Sequence, residues 1–485
     1  MGSLPSSPFP VLDDPQPDNT SLPAFMVSTT RGFLPRMHPI AVLPSDFDVL
    51  ESLLQRMPIK TLSGQPGLLA HGTLGDAVVA ELPDLTACVD KYKDNLPLMN
   101  ALYRDYSFLA SAYLLEPCHL RFVRGEEYGL ARDVLPANVA RPLSRCAELC
   151  TFKPFMEYAG SYALFNHAPS HPHLPLTHPS QSLRLIRAFE HGLDPSSSEA
   201  GFILTHVEMA SHSGDLVRAV LALLSTPSRA EANTALEDVV GAMRKINDVM
   251  ETMWRRSKPA EYTGFRTFIF GVKGQGMFPR GVVYEGVGEK GESVSYRGES
   301  GANDSIIPLL DNLVALPLPE TPLTRILHDF RSYRPENHRE FLNWVGERSL
   351  QVGLKGWVLG LGEDLHKDGE EVRRSRRLWL GVLDQIREFR WRHWCFAREY
   401  ILKRTAHPTA TGGSPIVTWL PNQLSAVLLE MEGVWEGVKL VEGGKGGRDT
   451  VTEEMMELVG RQREMLEKEV KKWCEERGCL EQNAE

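Results

Sequence analysis

Imidazoles on apolar helix faces are the residues of this chain whose type and spacing could do chemistry. In 331-RSYRPENHREFLNW-344, Pro335 suits the first turn of a helix and Glu336 its positive end. His338, Phe341, Leu342 and Val345 then fall at i, i+3, i+4 and i+7, an inward face. His393 shares a stripe with Trp379, Val382, Ile386, Phe389, Phe396 and Tyr400, and His206 sits in GFILTHVEMA among apolar neighbours. A neutral imidazole facing a dry cavity can bind haem iron. The same placement suits a packing histidine with its polar tip satisfied, and spacing leaves both readings open.

Other reactive groups form weaker patterns. His171, His173 and His178 lie in the proline-rich stretch APSHPHLPLTHPSQS, which reads as a turn-rich linker more readily than as a metal tract. Cys146 and Cys150 would share a helix face, but no second pair stands at zinc spacing. The seven cysteines are scattered and odd in number, so no disulfide framework is indicated. GVKGQG follows an aromatic helix instead of a strand, which excludes a nucleotide loop. No Ser-His-Asp, paired-carboxylate or phosphate-loop constellation is evident.

The elements that position these groups read as helices. At 485 residues the chain has enough length for two or three packed units. Its net charge, 53 − 63 = −10, argues against a nucleic-acid or anionic-membrane surface. No apolar run reaches transmembrane length and the N-terminus lacks a signal core, so a cytoplasmic protein is expected. MGSLPS fits the loose myristoylation pattern at Gly2 and Ser6, yet no polybasic second signal follows.

Residues 1–45 read as an extended arm and 46–167 as a small helical unit, in which Ser45 would cap the first helix. A linker follows over 168–198, then a large helical unit over 199–440. A glycine-rich break and an amphipathic helix occupy 441–485, with Met456, Val459, Leu466, Val470 and Trp473 on the buried side. GVVYEGV and ESVSYRG suit a short hairpin. The fold class is all-α, in two units with a C-terminal appendage.

The order RTFIFGVKGQG, GVVYEGV, RGESGANDS, SYRPENHREFL, REYILKR, TATGGS resembles the indoleamine 2,3-dioxygenase family. The likeness covers roughly residues 25–435, and VLPANVARPL and FMEYAGSYALFN are similar to the family's small domain. It implies a haem enzyme (haem b) that oxidises L-tryptophan to N-formylkynurenine. The expected partners are L-tryptophan or a related indole, O₂ and an electron donor that keeps the iron ferrous. No nucleic acid, no membrane and a monomer are expected. The alternatives are a diverged haem oxygenase acting on a related indole, or a haem-binding protein without catalysis.

The resemblance also implies roles for single residues. His338, followed by Arg339, Glu340, Phe341 and Leu342, matches the family's proximal-histidine segment and would hold the iron. Arg266 would pair with the substrate carboxylate, and Tyr262 would pack on the indole, with Glu261 where the family has an aromatic. Tyr158 and Ser161 would belong to the distal pocket; Phe202 and Thr205, or Ala200 and Leu204, would complete it. Ser300 and Gly301, with Ala302, would lie along the haem edge and its propionates. Glu299, Asn303 and Asp304 depart from the family's GGSAGQSS there, and carboxylates beside propionates repel unless they face solvent. Thr411, with Gly412, Gly413 and Ser414, would form a loop closing on the substrate.

Overall fold

The strongest apolar periodicities of the sequence become the helices around the centre of the molecule. The structure, a computed structural model, describes residues 9–173, 181–192, 194–318, 321–361, 365–442 and 450–477, without the side chains of 365–368 and 438–442. Its principal helices are α1 (Asp48–Arg56), α2 (Leu96–Val123), α3 (Ala137–Leu149), α4 (Ser198–Ser211), α5 (Arg229–Glu251), α6 (Pro259–Arg266), α7 (Ile306–Leu313), α8 (Glu336–Gln351), α9 (Leu365–Phe396), α10 (Ile416–Glu442) and α11 (Thr450–Arg477). The all-α class expected from the sequence is the class observed. His178, Gly2 and most of the glycine-rich break lie outside the described residues.

In α5, Ser228 caps the Glu231 N–H, and Leu236, Val239, Met243 and Ile246 are buried on one side. That side meets α9, whose Trp379, Val382 and Ile386 are fully buried. A polar lock sits within this seam: Asn247 donates to Gln385 Oε1 at 3.1 Å. α9 ends in a π-helical turn, Ala397–Leu402, a geometry frequent at functional sites. α2 is capped by Asn95 and buried along nearly its whole length, as a helix crossing the core must be. Its Arg104 and Asp105 pair at 2.7 Å, and Arg187 clasps Asp105 at 2.8 Å and also pairs with Glu51 of α1.

Residues of the N-terminal arm pack on α8. Val27 N–H donates to Asn337 Oδ1 at 2.8 Å, and Phe9 and Phe33 meet Phe341. Apolar side chains from Phe25 to Cys474 form one continuous cluster. The strands are short. β1 (Val134–Leu135) runs parallel to β4 (Val282–Tyr284), which pairs antiparallel with β5 (Ser293–Val294). β2 (His167–Pro169) pairs with β3 (Leu183–Leu185). GVVYEGV and ESVSYRG thus form the expected hairpin, and β1 is an addition that two residues of sequence could not announce.

Other differences are local. Ser45 does not cap α1: a 3₁₀ turn, Ser45–Phe47, precedes that helix and no side chain caps it. Pro335 is the cap residue of α8, one place earlier than the first-turn position. In α11, Val459, Leu466 and Cys474 are the buried apolar residues, whereas Met456, Val470 and Trp473 are half-buried. Among the described residues no helix is long and apolar enough to cross a membrane.

Candidate active site

A cavity of about 1060 Å³ opens between α4, α5, α6, α9 and the segments 299–304 and 410–420. Phe202, His206 and Met209 line it from α4, Met250 from α5 and Tyr262 from α6. Phe389, His393 and Phe396 line it from α9. A second cleft of about 550 Å³ shares Gly301, Asp304, Phe389 and His393 with it and extends to Asp311 and Arg390. The two form one slot, with His393 at the junction.

The apolar stripe of α9 delivers both groups at that junction. His393 is held neutral by burial, pulled down to about 4, so it offers an unprotonated nitrogen at pH 7. One turn earlier, Arg390 Nη2 pairs with Asp311 Oδ2 of α7 at 2.7 Å. Arg390 Nη1 is buried without a protein partner. A buried guanidinium arm left open beside an inward imidazole suits an anionic group of a bound ligand. The opposite wall carries His206, whose Nδ1 meets Phe202 O at 2.9 Å.

His338 lines neither cleft. It is 1% exposed, with Nδ1 3.2 Å from Ser305 Oγ and Nε2 buried without a partner. The edges of Phe25 and Phe33 close around it at 5.7 and 5.0 Å. The structure thus sets His338, the iron ligand expected from the resemblance, outside both clefts. Helical spacing turned it inward, but inward there leads to the N-terminal arm, behind the 304–305 segment.

Burial holds His338 down at about 3, with Arg334 adding to the effect; burial likewise lowers His167 to about 3 and His119 to about 4. An unfolded histidine takes up a proton near pH 6.5, and these folded ones do not. Their stability contribution is whole above pH 6.5 and declines as pH falls toward 4. The slope approaches about 1.4 kcal/mol per pH unit per histidine. Urea unfolding of the haem-free protein should give a lower midpoint at pH 5 than at pH 7, with a shallower pH slope in His338→Asn. An unchanged slope would show that His338 is already protonated in the fold.

Arg266 is 0% exposed and is not among the residues lining either cleft. Its Nη2 donates to Thr409 O at 3.0 Å and its guanidinium covers Phe270 at 4.6 Å, but Nε and Nη1 have no partner. Tyr262 lines the cavity and packs on Phe202 at 5.5 Å. Glu261 turns out to Lys258 and Ser198, half-exposed.

The residues expected in the distal pocket divide. Tyr158 OH donates to Asp304 Oδ2 at 3.2 Å and its ring meets His206 edge-on at 5.7 Å. Ser161 does not reach the cavity, because its Oγ donates to Glu157 O at 2.7 Å inside a π-helical turn. Thr205 donates to Gly201 O at 2.7 Å, and Leu204 borders a different cleft beside Arg31 and His38. Ala200 is buried and is also absent from the lining. Phe202 alone of those four faces the slot.

Ser300, Gly301 and Thr411 all line the cavity. Ser300 Oγ accepts from Ala302 N at 3.3 Å, and Thr411 Oγ1 donates to Glu299 O at 2.8 Å. The 403–415 loop is docked: Gly271 N donates to Thr411 O at 2.9 Å and Arg297 Nη1 to Gly412 O at 2.9 Å. Gly413 has φ +82°, and a Cβ there would strike Lys273 O, so glycine is required.

Neither added acid faces solvent. Glu299 is 2% exposed and Asp304 5%. Burial, with Glu157 adding to the effect, pushes Glu299 up to about 8, and its Oε1 has no partner, so the neutral acid is the favoured form. Asp304, also raised by burial, accepts from Ile306 N at 2.7 Å. A protonated Glu299 donates a hydrogen bond and repels no anion.

Residues 21–435 match the sequence model of the family described as indoleamine 2,3-dioxygenase. The chain belongs to the indoleamine 2,3-dioxygenase family. It is 26% identical over 356 residues to indoleamine 2,3-dioxygenase qulI of Penicillium citrinum, covering 71% of this chain and 72% of that one. It is 24% identical over 373 residues to indoleamine 2,3-dioxygenase 1 of Mus musculus, covering 76% and 81%. With indoleamine 2,3-dioxygenase nanC of Aspergillus nanangensis the identity is 24% over 408 residues, covering 82% and 91%. Enzymes of the indoleamine 2,3-dioxygenase family are haem-dependent dioxygenases acting on indoles.

The slot fits that cofactor. Its walls are apolar and aromatic, a neutral imidazole stands at its centre, and an open guanidinium arm can meet a propionate. Sequence reasoning missed Arg390 and Asp311. The available signal was a cation one helical turn before an inward histidine. α11 lies beyond the matched residues.

Proposed function

We propose that the protein oxidises L-tryptophan with O₂ to N-formylkynurenine, opening the indole C2–C3 bond, and that His393 holds the haem iron. The observation that carries this reading is the pairing on one face of α9: an imidazole in the slot and, one turn away, a guanidinium with an unpartnered arm. Bound there, haem supplies the oxygen-activating chemistry. The protein's own residues position the substrate and keep water out.

Arg390 meets a propionate, and Gly301 lets the 299–304 backbone approach the cofactor edge. Arg266 pairs with the substrate carboxylate through its free Nε and Nη1. Tyr262 and Phe202 give the indole flat apolar contacts. Thr411, on the docked loop, closes the cavity over the amino-acid end. A related indole as the preferred substrate is the second reading. It is favoured by Glu299, which lines the cavity with an unpartnered Oε1 and adds a polar group there.

Kinetics with Arg266→Ala test the substrate assignment. The loss of two charge-assisted bonds should raise KM for L-tryptophan roughly 30- to 100-fold, about 2–3 kcal/mol. An indole lacking the carboxylate should be affected far less. Equal losses for both compounds would show that Arg266 only supports Tyr262.

A further inference from the structure

Two imidazoles face the slot, and only one is needed to hold iron. His206 projects from α4, on the wall opposite α9. Its Nδ1 lies 2.9 Å from the carbonyl oxygen of Phe202, one turn back on the same helix. A carbonyl oxygen only accepts, so Nδ1 carries the proton and Nε2 is left as a bare acceptor. Nε2 stands 3.9 Å from the point where a Cβ on Gly301 would lie, at the floor shared by both clefts.

The surroundings define what this acceptor can meet. The Phe202 ring lies 4.8 Å from the imidazole and Tyr158 5.7 Å, while Tyr262 extends the aromatic wall from Phe202. Tyr158 OH already donates to Asp304. Within these rings His206 Nε2 is an acceptor held in a fixed direction. The complement is a flat aromatic with one N–H on its edge.

We propose that His206 Nε2 accepts the hydrogen bond of the substrate's indole N–H and so selects N–H indoles over isosteres that lack it. This deepens the proposed function and rests on an indole occupying the slot. The rotamer of His206 is set before binding by Phe202 O, so little side-chain freedom is lost when the bond forms. Glu299 is the competing polar group, since its Oε1 is also unpartnered.

The test uses full-length ferric haem protein and equilibrium titration, read from the shift of the haem absorption band. The ligands are L-tryptophan and its benzofuran and benzothiophene analogues, which replace the N–H with a smaller oxygen or a larger sulfur and so separate the lost donor from size. Wild type should bind L-tryptophan about tenfold more tightly than either analogue, the worth of one buried hydrogen bond. In His206→Leu the ratio should fall to near one, and in His206→Gln, whose amide oxygen accepts, part of it should return.

A ratio that survives in His206→Leu, or that collapses in Glu299→Gln instead, overturns the proposal. So does a wild-type protein with no preference. A six-coordinate low-spin spectrum that becomes high-spin in His206→Leu also overturns it, because His206 would then be an iron ligand. If none of the three ligands perturbs the wild-type spectrum, the indole reading itself fails. That result is distinct from binding without discrimination.

Discussion

His393→Ala protein should emerge from haem reconstitution without the strong absorption band that the wild-type chain acquires, whereas His338→Ala should keep it. Both histidines sit on apolar helix faces and are held neutral, so protonation state does not separate them. Their surroundings do. His393 stands where two clefts join, beside Arg390 with its free arm. His338 is closed in by Phe25, Phe33 and Ser305. Truncating it leaves a cavity among phenyl rings and removes one hydrogen bond, a cost of about 2–3 kcal/mol.

The two variants should therefore fail in different ways. His338→Ala unfolds at lower urea yet is stabilised by haem, as linkage requires of any ligand that binds the native state. His393→Ala keeps its urea midpoint when haem-free and gains little from added haem. The reverse pattern would return the ligand to His338.

The second large effect is expected from ending the chain at residue 442. α11 lies beyond the residues matched by the family, yet it is joined to α9, the helix that carries His393. Trp394, next to His393, donates its indole N–H to Glu469 at 2.6 Å, and Arg387 donates to Gln462 at 2.7 Å. Arg477 donates to the carbonyls of Leu402 and Thr405, at 2.6 and 2.7 Å, where the 403–415 loop begins. Val459, Leu466 and Cys474 are buried against the body.

At roughly 1.5–3 kcal/mol per large buried side chain, removal should cost on the order of 5 kcal/mol. It also strands the Trp394 N–H and frees the base of the loop. The truncated protein should show a lower urea midpoint and faster haem loss. Glu469→Ala, which removes the Trp394 acceptor and the Arg398 ion pair but leaves α11 in place, should cost about 1–3 kcal/mol. A truncated chain with unchanged stability and haem retention would mean that α11 is an ornament of the surface.

The helical stripes of α5, α8 and α9 were legible because a face of 3.6-residue period has few other uses. The destination of each face was not. His338 and His393 satisfy the same periodicity, and only packing from distant segments tells a phenylalanine cage from a ligand slot. Register within α4 was equally hidden. Phe202 and His206, four apart, turn to the cavity, while Thr205 bonds back to its own helix. Nor could composition reveal that Glu299 is buried and its carboxyl pushed up by that burial, since an acid in a glycine-rich turn reads as solvated. The cap assigned to Ser45 failed for a plain local reason: a 3₁₀ turn intervenes before α1.

The most direct measurement is a turnover of the reduced haem protein with L-tryptophan under isotopically labelled dioxygen, read by mass spectrometry. Haem on His393 with the indole held beside it predicts N-formylkynurenine carrying label in both inserted oxygens, and no such product from His393→Ala. A haem-loaded wild-type protein that leaves tryptophan unchanged, or a product bearing one labelled oxygen, would contradict it.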